Sequence, residues 1–148
     1  MSDSTNLPDF DKSTFTQEPY AKIVTKPWGH ELHWVPANLP YMGKIEYINA
    51  GCRLSLQVHD KKQESWTLIE GQAKVVWENS SSELSETNLE IGQGYTCAIG
   101  QKHRLVAVTD CKIVEVSTPE VGTTWRLEDD YARPDETEEQ RAKERGEA

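Results

Sequence analysis

The chain runs to 148 residues, 36 % hydrophobic and 28 % charged, with a formal net charge of −9 and a pI near 4.9. That length supports one domain with its own core. The acidic balance excludes a nucleic-acid partner, which needs clustered Lys and Arg for its phosphates, and without a long apolar run no membrane partner is expected.

Residues 1–22 read as a flexible polar arm dominated by Ser, Thr, Asp and Pro. The domain proper spans 23–133. Within it Pro27, Pro36, Pro40 and Pro119 fall between strands, as a missing amide donor requires. His30 and His33 lie in a segment without helical support and read as loop residues. The first clear strand is 44–49, opened by Gly43 and closed by Ala50-Gly51. Strands follow over 53–59 and 64–69, then over 72–78 beyond the turn Glu70-Gly71. Trp66 and Trp77 sit on these strands as barrel or dimer-interface residues. Residues 79–88, rich in Ser, Glu and Asn, read as a loop, and 96–99 leads to Gly100. The last clear strands are 104–108 and 111–117, split at Thr109-Asp110. Short strands with a turn roughly every eight to twelve residues and no helical period predict an all-β sandwich or barrel.

The acidic run Glu128-Asp129-Asp130 reads as a solvated turn. A charged tail, 134–148, carries one expected helix over 135–145, and without an apolar stripe nothing there demands burial. From Glu128 onward nine acidic and four basic residues supply −5 of the total charge. Cys52, Cys97 and Cys111 are odd in number and lack a Cys-x-x-Cys spacing. They fit reduced thiols in a cytoplasmic protein better than a disulfide framework.

Gln57 and His59 are two apart in the alternating run Leu54-Ser55-Leu56-Gln57-Val58-His59, so a strand points both to one face. With Glu64 and the later His103 they offer an amide oxygen, two imidazoles and one carboxylate. That donor set suits a single borderline divalent ion: Zn, Mn, Fe or Co. Gln57 is the weakest ligand and reads equally well as a donor behind the ligands or as a substrate contact. One anion in the set leaves a site charge near +1 with the ion bound, suited to an anionic substrate.

The spacing of these residues among glycines resembles the paired motifs of the cupin superfamily. The first segment is Gly51, Gln57, His59, Glu64 and Gly71; the second is Gly92, Ala98, Gly100, His103 and Ala107, with Ala98 and Ala107 where the family usually has Pro and Asn. Lys26-Pro27-Trp28-Gly29, Leu54-Ser55-Leu56-Gln57 and Glu128-Asp129-Asp130-Tyr131-Ala132-Arg133 are similar to the type II mannose-6-phosphate isomerases, over about Lys26 to Arg133. The resemblance implies a single-domain cupin, a double-stranded β-helix or jelly-roll barrel, forming a homodimer. It implies metal-dependent aldose–ketose isomerisation of a sugar phosphate through an enediol, with Gln57, His59, Glu64 and His103 holding the ion. Lys62 and Ser65 stand where the family has Arg and a second His, which makes them the catalytic candidates. Arg53, Arg104 and Arg133 are the candidate phosphate grip, each weighed against a solvated surface charge. Two alternatives remain at this point: a non-catalytic sugar or sugar-nucleotide binding module, and a cupin oxygenase.

Overall fold

A computed structural model describes residues 6–147. Residues 6–21 are exposed throughout and carry a 3-10 turn at Lys12–Thr14, capped by the Asp11 carboxylate; Met1 to Thr5 of the expected arm lie outside the described residues.

Eleven strands follow: β1 (Lys22–Lys26), β2 (Gly29–His33), β3 (Met42–Ile48), β4 (Leu56–His59), β5 (Glu64–Glu70), β6 (Ala73–Glu78), β7 (Leu84–Asn88), β8 (Tyr95–Cys97), β9 (His103–Ala107), β10 (Cys111–Ser117) and β11 (Thr124–Glu128). The chain ends on α1 (Glu138–Glu144). A six-stranded sheet in the order β1-β2-β3-β10-β5-β8 packs against a five-stranded one in the order β11-β4-β9-β6-β7, all pairings antiparallel. The all-β expectation holds.

Four elements differ from the sequence reading. His30 and His33 lie on β2, in a hairpin with β1, rather than in a loop. The polar stretch 79–88 contains β7, whose register on β6 pairs Val75 with Thr87 and Trp77 with Ser85; as an exposed edge strand it carries no apolar alternation to betray it. β11 pairs with β4, bringing Thr124 opposite His59. The helix is not a free tail. Its one buried residue is Arg141, and it is held against the barrel by charge.

Inward positions change character along the barrel. On β10 they run Cys111, Ile113, Glu115; on β3, Ile48, Glu46, Lys44; on β5, Leu68, Trp66, Glu64; on β9, Ala107, Leu105, His103, all buried. The registers Cys111↔Ile48 and Glu115↔Lys44 align these rows, so one end of the barrel is apolar and the other ionic. The apolar end supplies the hydrophobic driving force. It leaves the ionic end as a site held in place by surrounding sheet. At the β5–β6 turn Gly71 has φ +86, and an added Cβ would lie 2.1 Å from the Asp110 carbonyl oxygen, so the turn closes only with glycine.

Candidate metal centre

The pairing Gln57↔His103 joins the two sequence segments at the ionic end. His103 Nε2 lies 2.8 Å and His59 Nε2 3.3 Å from Glu64 Oε1. All three residues are buried, and their ligand atoms lie within 4.8 Å of one another. The far nitrogens are also held: His59 Nδ1 is 2.8 Å from Thr124 Oγ1, and His103 Nδ1 is 2.8 Å from the Gln101 carbonyl and 3.0 Å from Cys97 Sγ. Bonding at Nδ1 fixes the ring orientation and aims each Nε2 at the common centre. Gln57 stands beside them, its amide 3.4 Å from His103 Nε2 and its Oε1 accepting from buried Ser55 at 2.9 Å. A half-turn of that amide would present the oxygen as a fourth donor. Two imidazoles, a carboxylate and an amide fit a borderline divalent ion.

The electrostatics suit that use. Burial opposes ionisation of Glu64, but Lys62 and the two imidazoles outweigh it and hold the carboxyl well below its usual range. Burial pushes His59 down, leaving it neutral. At His103 burial acts the same way, yet hydrogen bonds to Cys97 and Glu64 prevail and raise it to about 10. A cation held by these residues would compete with the proton at His103 Nε2.

Lys62 Nζ sits 3.0 Å from Glu64 Oε2 and 2.9 Å from Glu115 Oε2. From it a run of buried ion pairs extends through Glu120 to Lys44 and Glu31, whose Oε1 lies 2.9 Å from His33 Nε2. Breaking a buried pair costs about 3–5 kcal/mol, whereas an apolar replacement of the whole pair is often neutral.

The remaining sequence candidates separate. Ser65 alternates with Glu64 and Trp66 and faces the other side of the sheet, its hydroxyl 2.8 Å from Thr96 Oγ1, so the structure does not bring it to the cluster. Arg53 is 44 % exposed and pairs with Asp130, while Arg104 bonds Leu54 O and Glu128 beneath the outer face of β4 and β9. Neither lines the central cavity; both border a separate depression on the outer face. Arg133 does line it, anchored by Asp129 at 2.9 Å. The acidic run 128–130 pairs with three arginines, Arg104, Arg133 and Arg53, while Glu128 and Asp130 stay exposed as expected of a solvated turn and only the Asp129 side chain is buried. The cavity, about 50 Å³, is bordered by Lys26, Lys62, Arg126 and Arg133 and covered by Arg141 and Arg145 of the C-terminal segment. Lys26 makes no ion pair among the described residues.

Sequence reasoning missed Thr124, Gln101, Lys44, Glu46 and Glu115. One signal was available for the last three: charges at inward positions of otherwise apolar strands. Thr124 carried none, because its strand was not recognised.

An antiparallel barrel with a His–Glu–His cluster between its sheets that can hold a metal ion defines a cupin. More narrowly, the family described as "Mannose-6-phosphate isomerase C-terminal" matches residues 14–136, and the chain belongs to it. Among solved structures it resembles Lactobacillus farciminis oxalate decarboxylase in a formate complex (TM-score 0.64, 18 % identity, 77 % of this chain and 37 % of that one). It also resembles the capsular polysaccharide assembling protein CapF of Staphylococcus aureus (TM-score 0.56, 12 % identity, 86 % and 34 %) and KdgF from Halomonas sp. (TM-score 0.52, 16 % identity, 64 % and 83 %). These identities speak for the fold alone, and the chain spans about a third of the first two proteins. No curated protein matches it. No helix among the described residues is long and apolar enough to cross a membrane.

Proposed function

We propose that the protein is a divalent-metal-dependent aldose–ketose isomerase acting on a sugar phosphate of the mannose 6-phosphate kind. The observation that carries the reading is the convergence of His59, Glu64 and His103, with Gln57 beside them, at the ionic end of a barrel of this family. His59, Glu64 and His103 would hold the ion and Gln57 would complete the set. When bound, it would polarise the substrate carbonyl as a Lewis acid. Lys62 fixes Glu64 and brings positive charge to the enediol's oxygens. Lys26 and Arg133, at the cavity wall, receive the phosphate in place of Arg53 and Arg104.

The partner chain in this reading is a second copy. Ile69 and Val116, about half exposed on the outer face of the six-stranded sheet, support a homodimer. Three free thiols support a cytoplasmic setting.

The test is to incubate metal-loaded protein with mannose 6-phosphate and with fructose 6-phosphate and to follow both sugars. Interconversion is expected. A cavity of about 50 Å³ takes no more than part of an open-chain sugar. Binding without interconversion would favour the second reading that this small volume supports, a non-catalytic sugar-binding module.

A further inference from the structure

Glu46 is 2 % exposed, and its Oε2 has no hydrogen-bond partner among the described residues. It occupies an inward position of β3, opposite Ile113 of β10 on one side and Glu31 of β2 on the other. Unsatisfied buried carboxyl oxygens are uncommon and call for a reason. The space beside it supplies one. Between the sheets lies a cavity of about 10 Å³, enough for roughly one water, bounded by Glu46, Glu64, Trp66 and Glu115 from one sheet and by Gln57 and His103 from the other. Glu46 therefore shares a void with three of the candidate ligands. Its neighbour Glu115 is held by Lys62 at 2.9 Å, by Lys44 at 3.6 Å and by Trp66 Nε1 at 3.3 Å. Burial, and then the adjacent Glu115, raise the Glu46 carboxyl well above its usual range, which favours its protonated form. Two adjacent carboxyl groups in unequal surroundings are how one site supplies an acid and a base together.

Glu46 and Glu115 also line the larger cavity of about 50 Å³, and we infer that they are the acid–base couple of this site, acting on an α-hydroxycarbonyl sugar phosphate whose C1–C2 end reaches that larger cavity. The inference rests on the isomerase reading. Glu115 takes the proton from C2; the C2–H electron pair becomes the C1–C2 double bond, and the carbonyl π pair moves onto O1, which takes the Glu46 proton. The O2 hydroxyl then returns a proton to Glu46 as its electrons form the C2 carbonyl, and the double-bond pair takes the proton on Glu115 at C1. Both carboxyl groups end as they began, and no other reactant is consumed.

The experiment compares wild type, Glu46→Gln, Glu46→Leu and Glu115→Gln as full-length, metal-reconstituted proteins. Metal content is read by elemental analysis, melting temperature is measured with and without metal, and deuterium uptake from D2O into the sugar phosphates is followed with interconversion. Glu46→Gln should keep its metal and lose about 100-fold or more in kcat with little change in KM. Glu46→Leu should be as inactive yet melt about 3 °C higher without metal, since the unsatisfied oxygen is gone. Glu115→Gln should stop deuterium uptake; if it fails to fold, the two Glu46 variants still decide. Glu46→Gln activity within about threefold of wild type, or a lower melting temperature for Glu46→Leu, would overturn the assignment alone. A metal-loaded wild type inert to both sugars would end the isomerase reading and this assignment with it.

Discussion

Deleting everything after Glu136 tests the role assigned to the C-terminal helix. α1 offers no apolar face, and its hold on the barrel is ionic. Arg126, whose side chain is 3 % exposed, bonds both oxygens of Glu144 at 2.8 and 3.0 Å; Arg141 bonds Glu136 at 2.8 Å and the Gly122 carbonyl at 3.2 Å; Arg145 pairs with Glu120. Stranding a charge in a dry interior costs about 3–5 kcal/mol per pair. Here the deletion also opens the mouth of the barrel, so Arg126, Glu120 and Glu136 are rehydrated and most of that penalty is relieved. What remains is the loss of a few charge-assisted hydrogen bonds, about 3 kcal/mol in all. For a domain of this size that lowers Tm by about 6–12 °C. Thermal unfolding followed by circular dichroism, on full and shortened chains at equal concentration, reads the difference directly. A change below about 2 °C would refute the reasoning and return the tail to solvent, as the sequence alone suggested. Because the pairs are largely buried, raising NaCl to about 1 M should reduce the difference only in part.

The same contrast has a pH signature. Burial tends to raise the Glu144 carboxyl, but bonds from Arg126 and Gln140 outweigh it and lower it to about 2 from an ordinary 4.5. A depressed carboxyl stabilises above its unfolded value, so the Tm gap between the two chains should be constant at neutral pH, narrow below about 4.5 and close near 2. His59→Ala or His103→Ala should remove most bound metal while the far-ultraviolet spectrum stays that of a folded barrel; unaltered stoichiometry by elemental analysis would sink the ligand assignment. Thr124→Val leaves the ligands in place but frees His59 Nδ1, and should weaken metal affinity about 10-fold by competition with a chromogenic chelator. Ser65→His should leave interconversion unchanged, because that position faces away from the centre; a marked gain would mean that β5 presents its other face.

The sequence by itself determined the fold class and the ligands' shared face. Period-two alternation at Gln57 and His59, glycines at the turns and short strands throughout are local properties, written into neighbouring residues. It also singled out His103, but through the resemblance and not through any local pattern. Tertiary structure decided the rest. Only the pairing of β11 with β4 brings Thr124 to His59, and only the docking of α1 turns a mostly charged segment into a wall of the cavity. Ser65, Arg53 and Arg104 were plausible in one dimension because sequence distance says little about which side of a sheet a residue faces or what already neutralises it. Charge pairing across long loops has no period to read, so the ionic half of this barrel becomes legible only once the strands are side by side.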